Sequence, residues 1–461
     1  MVAMGKWTMR SGLVRLVCVM GLFAGGMLAA ASVRGETLAD ALISAYKHSN
    51  ILDQNRALLR AADEDVATAV SAMRPVLQWV VNSGYARTQM TSGLAASLSL
   101  SGEVVLFDFG RNQVGVDIAK ETVLATRESL VSVEQNILLD AVDAYFSVRR
   151  ALENVAINQN SVRVIGETLR ATQDQFEVGE VTRTDVALAE AQLASARAGL
   201  ASAQGQLATA RELYKATTGH YPGPLAVAPR VPALPASLDA ARALAQRNHP
   251  GIRQAQRQVT ISELQITAAA LARKPSLKAT VSAGLNDGGA ETASVGLSMS
   301  QTIYAGGRLS AAHRKAIAGR DASRANLLQT AVQIAQGVGD SWANIEVFRA
   351  QINATQQQIR AATVAYKGVQ EEAKLGARTT LDVLNAEQSL LDAQASRIDA
   401  EAQLQVAIYS LLSAMGLLTV SHLNLGIPTY DPAAYYEAVK SAPATSVQGK
   451  SLDRVLQAIG K

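Results

Sequence analysis

Two short stretches hold the side chains whose types and spacing could do chemistry. Gly179 is followed by Thr182 and then Asp185, and Gly376 is followed at the same intervals by Thr379 and Asp382. Glycine takes the left-handed conformation that ends a helix without a Cβ penalty. Thr-x-x-Asp is the pattern of a capping box, in which a hydroxyl and a carboxylate satisfy the free amides of the next helix start. Capping and complementing the helix dipole account for both acids by themselves. A second chemistry needs assembly: copies of one acid ringed around a narrow, poorly hydrated constriction repel one another, focus a negative potential and favour cations over anions.

Other constellations fail on spacing. His48, His220, His249, His313 and His422 are dispersed, and none has a partner at metal-ligand distance along the chain, so no metal is expected. Gly449-Lys450-Ser451 mimics the end of a phosphate loop, but Ala444 stands where the loop needs its first glycine. No nucleophile sits on a recognisable turn with a base, so neither enzyme activity nor a cofactor is expected. The excess of 43 basic over 39 acidic side chains depends on Lys6, Arg10 and Arg15, which lie in an acid-free first segment. The rest is within one charge of neutral and shows no basic cluster with interleaved aromatics, which excludes nucleic acid as a partner.

That first segment, residues 1–31, has a basic start, an apolar run from Leu16 to Ala31 too short for a comfortable span, and three alanines before Ser32. It reads as a cleavable secretory signal. The single cysteine, Cys18, lies inside it; a lipid anchor there is disfavoured because Arg15 and Val17 replace the aliphatic and small residues such a site wants. Without it the chain has no disulfide and no thiolate ligand.

The elements that position the two turns follow from proline placement and an internal repeat. Five of the eleven prolines fall between Pro222 and Pro235, marking a linker, while residues 76–221 and 276–427 are free of proline, which permits very long helices. Leu38, Ala41, Ala45, Pro75 and Leu77 match residues 200 positions later, and from Leu106 onward the offset becomes 197. The three-residue change between Leu77 and Leu106 predicts a loop there. The repeat gives residues 32–221 and 236–427 as two copies of one unit, each a helix, two strands (within 76–107 and 277–304), a long helix and a further helix, followed by a tail over 428–461.

Residues 182–218 carry a coiled-coil seam, Val186, Ala189, Leu193, Ala196, Leu200, Ala203, Leu207, Ala210 and Tyr214. Residues 111–174 carry two adjacent stripes and hence two packing partners. Between the helices the period becomes two: Leu98 and Leu100 alternate with serines, and Leu277, Ala279, Val281, Ala283 and Leu285 with small polar residues. The strands are about the length a tilted strand needs to cross a membrane. Trp79, Tyr85, Phe107, Phe109 and Tyr304 gather near strand ends as an interfacial girdle would. Four strands cannot close a barrel, and lipid does not tolerate open sheet edges, so a barrel would have to be shared between chains.

Three segments, Phe176 to Asp185, Leu375 to Leu384 and Gln301 to Arg308, closely resemble the corresponding segments of the TolC family of outer-membrane export channels. The likeness covers about residues 36–427, repeat for repeat, and is closest to the exit ducts of type I secretion and multidrug efflux. It implies a mostly α fold with a small β portion. A homotrimer would form a twelve-stranded barrel in outer-membrane lipid, four strands per chain, continued as a long periplasmic coiled-coil tunnel. It also implies a periplasmic membrane-fusion adaptor and an inner-membrane ABC or RND transporter as partners. At the tunnel's far end, Arg378 would bridge to Thr184 and Asp185 as a latch. A tyrosine that assists this latch in the family is Ala373 here. Asp382 would ring the constriction, while Asn385 replaces the family's second acid. Val178, Gly179, Thr182, Leu375, Gly376 and Thr379 would receive the adaptor's hairpin tips.

The rival reading is an exported structural coiled coil with soluble hairpins and no channel. Membrane fractionation separates the two: a shared barrel is expected to need detergent for release and to run as a heat-labile oligomer, whereas a rod would wash free in salt.

Overall fold

A computed structural model describes residues 35–87, 92–226, 231–286 and 290–441. The signal at 1–31, Cys18, part of the linker and the last 20 residues lie outside them. The repeat is visible element by element: α1 (Leu38–His48), α2 (Asn50–Ser71), β1 (Val76–Arg87), β2 (Ser92–Phe107), α3 (Arg111–Glu177) and α4 (Arg183–Thr218) are followed by α5 (Leu238–Asn248), α6 (Pro250–Leu271), β3 (Ser276–Asn286), β4 (Glu291–Ser300), α7 (Arg308–Lys374) and α8 (Thr380–Ala414). The two longest helices, α3 and α7, have 67 residues each, which at about 1.5 Å per residue is ~100 Å.

Each unit opens with two helices where the sequence pattern predicts one. Ser49 breaks the first by capping α2, its Oγ accepting from Leu52 N–H at 3.2 Å. His249 does the same for α6, its Nδ1 accepting from Gly251 N–H at 3.0 Å with Pro250 in the first turn. Pro250 lacks the amide a continuous helix would need.

The strands form one antiparallel sheet in the order β1-β2-β3-β4. Register places Trp79 opposite Leu100, Leu100 opposite Ala283 and Val281 opposite Val295, so one face is apolar. The other carries Ser99, Ser101, Ser282 and Ser294, with Lys278 Nζ 2.6 Å from Glu103 Oε1. The apolar face is open: Trp79 is 71% and Leu297 71% exposed. The three-residue repeat difference is shared between strands and a connection: β3 and β4 are shorter than β1 and β2, and the segment from β4 to α7 is longer than that from β2 to α3. Both hairpins turn between equally spaced ends, Arg87 to Ser92 and Asn286 to Glu291, while β1 and β2 are 12 and 16 residues against 11 and 10 for β3 and β4. A register irregularity at Leu106 absorbs part of the excess. The second hairpin also stops short of 304. β4 is an edge strand whose last partner is Ser276, the first residue of β3, so Gln301 to Tyr304 have no strand to pair with.

The main core lies where α1, α3, α5, α7 and α8 meet, around Leu138, Tyr145, Val338, Ile408 and Leu411. Glu36 ties the linker to it, accepting from Tyr214 Oη at 2.5 Å, pairing with His220 Nε2 at 2.9 Å and accepting from Gly223 N–H at 3.0 Å. The tail is not featureless: α9 (Pro432–Val439) lies on α2. Tyr435 Oη donates to Glu64 Oε1 at 2.7 Å, and Tyr430 and Tyr436 cover Leu59, Val66 and Val123. The guanidinium of Arg56 lies 5.4 Å from the Tyr430 ring centre, and that of Arg127 lies 5.5 Å from that of Tyr436. Removing both rings, by Tyr430→Ala with Tyr436→Ala, should loosen the tail by about 2 kcal/mol. Limited proteolysis within 428–441 is then expected to speed up on the order of tenfold, with α3 and α7 uncut.

Candidate functional site

The two turns that carry the sequence-predicted residues join α3 to α4 and α7 to α8. Each long helix ends in a left-handed glycine, Gly179 at φ 82° and Gly376 at φ 77°. The amide one residue beyond reaches back to close the last turn: Glu180 N–H donates to Gln175 O at 2.9 Å and Ala377 N–H to Glu372 O at 2.9 Å. At neither glycine would an added Cβ meet an atom within 4 Å. Backbone conformation, not crowding, therefore demands glycine there.

The next helix begins in a full capping box. Thr182 N–H and Oγ1 donate to Asp185 Oδ2 at 2.9 and 2.7 Å, and Asp185 N–H returns to Thr182 Oγ1 at 3.3 Å. Thr379 and Asp382 repeat this at 3.0, 2.9 and 3.2 Å. The hydroxyl and amide of Thr182 hold the Asp185 carboxyl below its ordinary range. The amide and hydroxyl of Thr379, with a smaller contribution from Arg378, do the same for Asp382. Both acids therefore stay ionised well below neutral pH, which a charged constriction requires.

The other predicted residues are distributed unevenly. Val178 and Leu375 project at the two turns, 73% and 86% exposed; such exposure of large apolar side chains on both tips suits docking. Asn385 is exposed one turn beyond Asp382, and Thr184 is exposed beside Asp185. Arg378 is not brought to Thr184 and Asp185 within the chain. Its Nε donates to Glu372 Oε2 at 2.9 Å, an ion pair inside its own turn. Sequence reasoning missed Glu372, because a separation of six residues is no helix-face spacing and becomes a contact only when the turn folds back. It also missed Glu387, which is 7% exposed. The signal was present, since Val383, Leu384 and Glu387 share one face of α8 at the intervals that mark burial.

With this geometry in place, comparison with known proteins identifies the class. The family described as "Outer membrane efflux protein" matches residues 42–220 and 241–417. The outer membrane efflux protein BepC of Brucella suis biovar 1 is 34% identical over 443 residues, spanning 94% of this chain and 97% of BepC. The outer membrane protein TolC of Escherichia coli K12 is 25% identical over 420 residues, 84% of each chain. Among solved structures, CusC, described as forming a transmembrane channel, superposes with a TM-score of 0.74 over 82% of this chain and 92% of its own, at 21% identity. The chain belongs to the outer membrane efflux protein family and forms an exit duct in the Gram-negative outer membrane. That membership removes the rival reading of an exported structural rod.

Because strain alone fixes the two glycines, Gly179→Ala and Gly376→Ala should each cost about 1 kcal/mol locally. Amide hydrogen exchange at residues 177–182 or 374–379 is expected to speed roughly fivefold, leaving the core around Leu138 unchanged.

Proposed function

We propose that three copies of this chain close one twelve-stranded barrel through their β1 and β4 edges, and that the helices continue it as a periplasmic tunnel. Through it, proteins or small toxic compounds would pass from an inner-membrane ABC or RND transporter to the outside. The observation that carries this reading is the sheet itself: one face is apolar and exposed, the other is small and polar, and both edges are unpaired among the described residues. In lipid such a sheet is viable only when its edges are paired by other strands. The reading needs no cofactor or metal.

At the far end, three copies of Asp382 ring the exit and select for cations; Asn385 leaves that ring with half the charge of a two-acid constriction. Since Arg378 does not reach Thr184 and Asp185 within one chain, the latch is a contact between neighbouring copies. Arg378 exchanges Glu372 for it as the tips come together. Val178 and Leu375, beside Gly179, Thr182, Gly376 and Thr379, offer apolar knobs to the hairpin tips of a membrane-fusion adaptor.

Planar-bilayer recordings test both parts. Asp382→Ala should move the reversal potential in a salt gradient toward zero, and an unchanged value would count against the ring. Arg378→Ala and Asp185→Ala should each raise mean conductance by roughly twofold or more; if both conduct like the parent, the latch is misassigned.

A further inference from the structure

Glu387 is an acid in the wrong solvent. It lies on α8 five residues beyond Asp382, about 7.5 Å further along the helix axis, and so stands just behind the proposed constriction. Its Oε2 is sealed from water and accepts no hydrogen bond. Leu384, one turn earlier on the same face, packs with Ile165 of α3 and Leu193 of α4, while Val162, Leu169 and Ala196 close the surroundings. α8 runs along α7 and also rests on α3 at this level.

The groups that face this junction offer no compensation. From α3 come Arg163 and Glu167, which are paired with each other at 2.9 Å, and Arg163 also donates to Asn160 Oδ1 at 2.8 Å. From α7 comes Tyr366, which lies within electrostatic reach of Glu387, of Glu167 and, more weakly, of Arg163. From α4 come the apolar side chains of Leu193 and Ala196. On α8 itself the neighbouring acid is Asp382, already bound to Thr379. Among the described residues no ion pair includes Glu387.

Burial pushes the Glu387 carboxyl up to about 7, and no nearby cation brings it back. An acid whose value is raised by packing favours the packed state while protonated. That preference is complete below the ordinary value of 4.5 and is lost as pH rises through about 7. A carboxylate that ionises with one oxygen cut off from water and no charged partner is disfavoured where it sits, and the helix carrying it gains by moving out.

We propose that Glu387 is a proton-operated brake on the exit: neutral, it lets α8 seat against α3 and α7; ionised, it draws this stretch of α8 toward water and widens the constriction. The role is one of positioning and rests on the duct reading above. It differs from that of the Asp382 ring, which stays charged throughout and sets selectivity instead of opening.

The test uses the whole assembled channel in planar bilayers at about pH 5.5 and about pH 8, where the opening equilibrium per chain should rise on the order of tenfold. Glu387→Gln and Glu387→Leu should abolish that rise, the leucine variant remaining mostly closed at both values, and both should retain the heat-labile oligomer of the parent. Asp382→Asn should lose selectivity but keep the rise. A Glu387→Gln channel that still opens with rising pH overturns the brake, as does a rise that disappears only in Asp382→Asn. A parent channel that conducts equally at both values sinks the brake alone, whereas a parent that never conducts sinks the duct reading with it.

Discussion

A backbone amide or carbonyl placed in hydrocarbon has no water to bond, so every one of them must find a partner within the protein. The rest of the molecule depends on this constraint. The four-stranded sheet pairs its interior ladders but leaves the outer edges of β1 and β4 without a partner among the described residues, and its apolar face cannot be left to water either. Copies of the same chain supply both remedies at once, since a sheet that ends in β1 on one side and β4 on the other presents complementary edges for a closed ring.

Duplication extends the same economy to the helices. One unit, used twice, gives two long helices that each end in a glycine C-cap and two return helices that each begin in a Thr-Asp capping box, with matching distances at both turns. Those turns can therefore project apolar side chains and ionised carboxylates without fraying, because the orphan amides and carbonyls at the tips are already satisfied. The repeats are not equivalent in packing, however. α8 rests on α3 as well as on its own partner α7, and Glu387 is buried while its repeat counterpart Glu190 remains exposed.

Buried acids mark the places where this architecture gives up stability. Asp63, wholly buried on α2 beneath the tail tyrosines, has both carboxylate oxygens without a hydrogen-bond partner. Its carboxyl is pushed up to about 6 by burial, against the opposing charge of Arg127. Glu387 near the tip has one such oxygen, Oε2, and no cation acting on it. An apolar residue of similar size would pack more favourably at either site, so neither acid is explained by the folding of the helix that carries it.

The two-fold repeat, the alternation of the hairpins, the uninterrupted helices and the paired Gly-Thr-Asp turns were legible from the chain, because each is a local pattern with its own period or capping rule. Residue spacing therefore determined the order of helices and strands, the capping chemistry of Asp185 and Asp382, and the need for more than one copy. Where the first helix of each unit breaks, how the repeat difference is shared between the strands and the connection after β4, that the tail docks on α2, and that Arg378 turns to Glu372 were decided only by tertiary structure. The same holds for Glu387: its position on the apolar face of α8 could be read from its spacing, but its burial required α3, α4 and α7 to close around it. Contacts of that kind join residues far apart in the chain, and no local periodicity records which helix will come to rest on which.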